Sequence, residues 1–459
     1  MGLEAFGVLP PWLADLSDGP TVLAAVKAAL PEARDGSLSV LACRPSRLRM
    51  RKEGWAGSYL LTVRSGTETQ PRDVALTGVM VDRGGEGPPV TRSVAAFGDP
   101  SWQMHLPALG LELRTEAPED AGLPALPVLT DPESARDLLE RSISGAGPAY
   151  DGYRLRGCVP EVMRYKPGNR CTVRYRLDYQ EDLAGRGWPD LVVAKTYRGD
   201  KGQVAWEGMR GLWDSPMSSS RVRIAEPLAF LPDLNVLVQG PVPEQQTLKQ
   251  SIRAAVAAGD AQALEDLTGT VRATAAGLVA LHSSGVGTGE LVTWEDELAE
   301  VRGVIDRLAA RVPELEAEAT PLLATLETLA GDQPAQPAGP AHRSFRPAQV
   351  LLADGGQGFI DFDGFCQAEP ALDVALFRTT VQGLGSKPAH LEVLARLADE
   401  FLAEYARLGD ISRMRVALWE SLDLLTQVLH CWTKVKPDNA AAALAALRAQ
   451  LAAEPLRLA

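Results

Sequence analysis

Residues 341–369 read AHRSFRPAQVLLADGGQGFIDFDGFCQAE, and the rest of the chain is organised around them. Two short apolar runs, Val350–Ala353 and Gly358–Phe362, flank Asp354-Gly355-Gly356, a pattern that predicts a tight hairpin. The chemistry stands at its two ends. Before the first run come His342, Arg343, Ser344, Arg346 and Gln349; at the end of the second come Asp361 and Asp363. A hairpin brings its ends together, so a polar cluster and two carboxylates are expected at one mouth. Carboxylate and amide oxygens are what a hard divalent cation requires.

This run resembles the aminoglycoside phosphotransferase and choline kinase-like branch of the protein-kinase fold. That branch carries His-Gly-Asp-x-His-Pro-x-Asn, a hairpin and then Ile-Asp-x-Asp. Here His342-Arg343-Ser344-Phe345-Arg346-Pro347-Ala348-Gln349 is followed by Ile360-Asp361-Phe362-Asp363. The family's catalytic Asp falls on Ser344 and its metal-binding Asn on Gln349. Its metal-binding Asp is matched by Asp361, and a later Asp by Asp373. The resemblance implies an α+β, protein-kinase-like two-lobe fold, with a five-stranded antiparallel small lobe and a helical large lobe. It also implies ATP and Mg2+ as cofactors.

Residues 151–240 supply strand-like runs that suit the small lobe: Glu161–Tyr165, Cys171–Tyr179, Leu191–Tyr197, Val222–Phe230 and Val236–Gln239. A helical pattern, Lys201–Trp213, stands between the third and fourth. Leu191-Val192-Val193-Ala194-Lys195 resembles the family's third strand, which implies Lys195 on nucleotide phosphates with Glu207 holding it in place. Arg164–Arg170 contains a Pro-Gly turn whose Lys166 and Arg170 could cover phosphates through charge and backbone N–H groups. The linker Val238–Pro243 is the expected hinge, with backbone groups about Gln239 to receive an adenine edge. Each has a plainer reading: a lysine at a strand end, a hairpin turn with solvated bases, an interdomain connection.

At the mouth, Asp361 is a good magnesium ligand, while Gln349 sets its amide oxygen one methylene further out than asparagine would. Asp363 could assist the metal or the acceptor, and Arg343 and Arg346 could bind an anionic acceptor or pair with neighbouring acids. Ser344 cannot serve as a base near neutral pH unless another base activates it.

Residues 1–145 read as an N-terminal α+β domain, 146–240 as the small lobe, and 241–459 as the helical large lobe carrying the 341–369 hairpin. The first segment has a helical pattern at Thr21–Leu30 and strands at Leu38–Cys43, Tyr59–Arg64 and Val74–Val81. A Gly- and Pro-rich stretch at 84–101 and an extended stretch at 110–132 follow, then a helix from Asp131-Pro132-Glu133 to about Ser144. Cys43-Arg44-Pro45 through Arg51 can be laid on Cys158-Val159-Pro160 through Lys166, which makes the first domain a possible partial repeat of the small lobe; Gly78 then matches Lys195. In the large lobe, helices are expected at Ala263–His282, Asp296–Leu315, Pro321–Leu329, Leu391–Leu408, Arg413–His430 and Ala440–Ala453.

Lys+Arg 46 against Asp+Glu 59 leaves a net charge of −13, which argues against a general nucleic-acid binder, although Arg47, Arg49, Arg51 and Lys52 make a local basic cluster. Five cysteines without metal-ligand spacing read as cytosolic thiols. The start lacks a basic n-region and no run of 18 apolar residues occurs, so a cytoplasmic protein that neither spans a membrane nor is secreted is expected. The resemblance yields two expectations for function. One is a phosphotransferase acting on a sugar or amino-alcohol hydroxyl. The other is a catalytically impaired relative that binds nucleotide or a protein partner.

Overall fold

The computed structural model describes residues 3–52, 54–65, 70–81, 102–115, 120–180, 185–219, 222–259, 261–354, 356–385 and 388–452. They fall into two compact units: Met1–Glu119 with Glu297–Leu329 and Ser421–Ala459, and Asp120–Asp296 with Ala330–Glu420. The fold is α+β, with two antiparallel five-stranded sheets and a large helical region in a protein-kinase-like, two-lobe architecture.

In the first unit a helix, Gly19–Ala29, starts on Asp18, whose side chain accepts from the Thr21 amide. The sheet comprises β1 (Leu38–Arg51), β2 (Gly54–Ser65), β3 (Arg72–Met80), β4 (Gln103–Leu106) and β5 (Leu111–Thr115), in the order β1-β2-β3-β5-β4. Its first strand runs eight residues beyond the expected end and absorbs the three arginines of the basic cluster, because arginines alternating with Leu48 and Met50 suit a half-buried strand. Alternation buries Trp55, Tyr59, Leu61 and Val63 along β2. The Gly- and Pro-rich stretch 84–101 lies outside the described residues. Among the described residues of 110–132, the stretch is not extended throughout: Leu111–Thr115 is the only strand, and Leu126–Thr130 turns helical with Pro127 in its first turn.

The short helix Leu126–Thr130 already belongs to the second unit, which goes on with helix Pro132–Ile143, capped by Asp131, and then β6 (Leu155–Lys166), β7 (Arg170–Tyr179) and β8 (Leu191–Tyr197). Helix Lys201–Trp213 leads to β9 (Val222–Ile224), β10 (Pro227–Leu231) and β11 (Val236–Gln239). The small-lobe sheet has the order β10-β11-β8-β7-β6. Tyr153, Val173, Tyr175, Val192, Ala194, Val236 and Val238 pack against Leu138, Leu139 and Ile143 of helix Pro132–Ile143. The expected strand Val222–Phe230 is two strands. Pro227 brings no N–H to a ladder, and the chain breaks just before it, so β9 leaves the sheet.

It joins a ribbon in the large lobe. The strands there are β12 (Gln246–Thr247), β13 (Gly339–Ala341), β14 (Val350–Ala353), β15 (Gly356–Phe359) and β16 (Cys366–Ala368). The ribbon has the order β12-β14-β15-β9, with β9 parallel to β15; β13 and β16 form a separate pair. Helices Leu248–Ala258, Ala261–His282, Ala371–Gln382 and Pro388–Leu408 build the lobe. The expected helix Asp296–Leu315 is Trp294–Ala309. Thr293 and Asp296 exchange side-chain-to-backbone bonds at its start, a capping box, and Pro313 separates it from helix Glu314–Gly331.

Both five-stranded sheets consist of a three-strand meander with a hairpin laid antiparallel along the third strand. Where β8 has Lys195, β3 has Gly78 in the sequence match, and a Cβ at Gly78 would fall 2.2 Å from the Tyr59 ring. That space in the first sheet belongs to an aromatic ring.

Helix Lys201–Trp213 approaches the loop after Asp363 through Gly208, where an added Cβ would meet the buried Phe365 ring at 2.5 Å. Gly208→Ala is therefore expected to cost about 1–3 kcal/mol through overpacking. An unchanged urea midpoint would show that the contact carries no constraint.

Candidate active site

β14 and β15 pair as an antiparallel hairpin, from Val350↔Phe359 to Ala353↔Gly356. The second strand starts and ends earlier than its expected span, Gly358–Phe362. The Ile360 amide turns to the Gln349 carbonyl at 3.1 Å, and Asp361 then takes φ +73°. A left-handed backbone costs a non-glycine residue about 1–2 kcal/mol. Here it accompanies a carboxylate held by two cations.

Strand period places Lys195 and Tyr197 on one face of β8, and Arg170 lies directly opposite Tyr197 on β7. All three converge on the two aspartates. Lys195 Nζ is 3.3 Å from Asp361 Oδ1 and 3.6 Å from Asp363 Oδ1. Arg170 Nη1 donates to Asp361 Oδ1 at 3.1 Å and also to Asp363 Oδ2. The Tyr197 hydroxyl donates to Asp363 Oδ1 at 2.7 Å. The lysine, arginine and both aspartates have side chains at most 25% exposed, so the charges meet where water screens them little.

Burial pushes the Asp361 carboxyl upward, but Lys195 and Arg170 outweigh it and hold the group well below the usual carboxylate range. A carboxyl depressed on folding contributes stability that is complete above its unfolded value of about 3.9 and is lost as pH falls through the lower folded value. Asp361→Asn should therefore flatten the acid limb of the stability profile below about pH 4. A limb identical to the wild type's, followed by urea unfolding, would contradict this pairing.

The remaining expected site residues lie as follows. Glu207 is exposed and accepts from Gln203 one turn back on its own helix, at 2.8 Å; Lys195 has Asp361 and Asp363 as its acidic partners instead. Gln239 is buried in β11 opposite Val193. Lys166 ends β6 and is half-buried, and Arg346 is exposed at the start of the turn Pro347–Gln349. Ser344 Oγ lies 3.1 Å from His342 Nδ1, and His342 Nε2 lies 3.0 Å from the Ile360 carbonyl oxygen.

Sequence reasoning missed Tyr197, although its position two residues after Lys195 puts it on the same strand face. It also missed how Asp373 acts. That wholly buried carboxylate accepts from the His342 amide at 2.6 Å and lies 3.2 Å from His282 Nε2, whose ring contacts the Tyr405 hydroxyl through Nδ1. The chain leading into Ser344 is thereby anchored to the helical lobe.

Among the described residues, no group of three or more His, Cys, Asp or Glu side chains could hold a metal. A site built from one carboxylate and one amide, completed by phosphate oxygens, falls outside that pattern. The donor chemistry fits such a site: Gln349 Oε1 is buried without a hydrogen-bond partner, and Asp361 stays ionised. Beside the hinge, Tyr150, Trp213, Ile224, Glu226, Pro241 and Pro243 line a cavity of about 430 Å³. The Gly240 amide there is taken by the Glu226 carbonyl at 2.8 Å. All five cysteines are buried and none is in a disulfide, and no described helix is long and apolar enough to cross a membrane.

The sequence profile of the phosphotransferase enzyme family matches residues 236–417. No curated protein matches. Among solved structures, a glucosamine kinase is similar at 16% identity, covering 97% of this chain and 99% of its own, with a TM-score of 0.47. A choline/ethanolamine kinase family protein from Mesorhizobium loti is similar at 12% identity, covering 70% and 96%, with a TM-score of 0.47. A choline kinase from Streptococcus pneumoniae is similar at 12% identity, covering 71% and 99%, with a TM-score of 0.44.

Proposed function

We propose that this protein is an ATP- and magnesium-dependent phosphotransferase whose acceptor is a hydroxyl on a small molecule, a sugar or an amino-alcohol. The observation that carries this reading is the meeting of Lys195 and Arg170, from the small lobe, with Asp361 and Asp363, from the large lobe. Two cations and two carboxylates satisfy one another there. On nucleotide binding, Lys195 and Arg170 exchange carboxylate oxygens for phosphate oxygens, with Lys166 opposite Arg170 across the β6–β7 hairpin. Asp361 and Gln349 would hold magnesium, which when bound neutralises charge on the transferring phosphate. The acidic support that the family resemblance gives to Glu207 falls here to Asp361 and Asp363. Tyr197 steadies Asp363, and backbone groups about Gln239 would receive the adenine edge. Arg346, exposed at the mouth, is placed for an acceptor. Five buried cysteines without a disulfide among them favour a cytoplasmic setting.

A second reading, a nucleotide-binding relative without transfer activity, draws on the same ion pairs, because they tie both cations of the small lobe to the acids of the large lobe. Thermal unfolding with ATP, with and without magnesium, tests both. A ligand at 100 times its Kd stabilises the folded state by about 2.7 kcal/mol. No shift under either condition rejects nucleotide binding altogether; a shift without phosphate transfer to any member of a hydroxyl library leaves the second reading.

A further inference from the structure

We infer that Ser344 and His342 form a two-residue proton relay that takes the acceptor's proton during phosphoryl transfer, an inference that rests on the phosphotransferase reading. The carboxylates of the cleft have other work once nucleotide is bound. Asp361 would hold magnesium, and Asp363 keeps the Tyr197 hydroxyl on one oxygen when Arg170 turns from it to phosphate. Asp373 is wholly buried beneath the His342 amide. Ser344, by contrast, is half-buried, and its hydroxyl is 3.1 Å from His342 Nδ1.

The tautomer follows from the other ring nitrogen. His342 Nε2 lies 3.0 Å from the Ile360 carbonyl oxygen, which can only accept, so Nε2 carries the proton and Nδ1 presents its lone pair. The Ser344 hydroxyl therefore donates to Nδ1, and its own lone pairs remain for an incoming hydroxyl. The imidazole is fixed: it is fully buried, with ring centroids 4.8 Å from Phe362 and 5.6 Å from Phe345, and its amide is tied to Asp373. A hydroxyl within reach of a base that a third group orients is the arrangement of an activated serine.

The step balances as follows. The acceptor oxygen bonds to the terminal phosphorus, and the bond from that phosphorus to the leaving oxygen breaks, releasing nucleoside diphosphate. The acceptor's proton moves to Ser344 Oγ while the serine's own proton moves to His342 Nδ1. The resulting imidazolium donates through both nitrogens, to Ser344 and to Ile360. After product leaves, the proton returns to solvent by the reverse route through the hydroxyl.

The test compares Ser344→Ala, Ser344→Thr and Ser344→Asp in the full chain, with ATP, magnesium and whichever hydroxyl compound the wild type phosphorylates. Removing a positioned base lowers kcat about 10²–10⁴-fold. Ser344→Ala should show that loss with an unchanged KM for ATP and an unchanged ATP-induced thermal shift. Ser344→Thr keeps a hydroxyl and Ser344→Asp supplies a carboxylate base, so both should retain most of kcat. If the wild type transfers phosphate and Ser344→Ala keeps its kcat, the relay is wrong and the phosphotransferase reading stands. If the wild type binds ATP but transfers phosphate neither to any hydroxyl nor to water, both fall.

Discussion

Glu369→Ala should lower the stability of the second unit by about 3–5 kcal/mol, the cost of leaving a buried charge without its partner. Glu369 is 5% exposed and Arg415 2% exposed. The carboxylate accepts from Arg415 Nε at 2.9 Å, from a second guanidinium nitrogen, and from Trp419 Nε1 at 2.5 Å. The guanidinium lies 5.3 Å over the Trp294 ring, which meets Trp419 edge-on at 5.1 Å. Alanine leaves that cation in an apolar, aromatic surround with nothing to neutralise it. The paired replacement Glu369→Leu with Arg415→Met should recover much of the loss, since exchanging a whole buried pair for apolar side chains is often neutral. Urea unfolding followed by tryptophan fluorescence reads both results. A loss below about 1 kcal/mol in the single variant would mean that water reaches the pair.

The second large effect belongs to Lys195. Lys195→Ala should abolish the ATP-induced thermal shift, about 2.7 kcal/mol at 100-fold saturation. It should also lower transfer by at least about 10²-fold, the usual cost of deleting one donor that stabilises developing charge. The unliganded protein should suffer less, because Arg170 still bridges Asp361 and Asp363. This contrast distinguishes a binding residue from a structural one. A full ATP shift in the variant would place the nucleotide elsewhere.

Much of the small lobe was legible because its strands obey simple rules. β8 and β11 are apolar runs, β7 alternates polar with apolar residues, and the Lys201–Trp213 helix shows its apolar spacing plainly. Val222–Phe230 was misjudged as one strand. Propensity along it is continuous, and only Pro227 marks where the chain changes sheets. At the site, Lys195, Arg170, Asp361 and Asp363 could be named from their places at strand ends. Their partners could not, because pairing across the cleft depends on tertiary approach. Arg170 reads as a phosphate-covering base in a turn, yet it bridges two acids. The His342–Ser344 contact was hidden for another reason: residues two apart face each other only when the backbone leaves regular structure, as it does at Arg343 with φ +59°.

The four-stranded ribbon has a mechanical consequence. The chain departs for the small-lobe sheet from β9 at one edge and comes back to β12 at the other, through residues 225–226 and 240–245. Strands about 4.8 Å apart put those two tethers roughly 14 Å from one another. Like a door on two pins, the nucleotide-side sheet can swing about the line joining them but resists shearing sideways. Any ligand that prises Arg170 from Asp363 should produce a rotation about that line, leaving the ribbon itself undistorted.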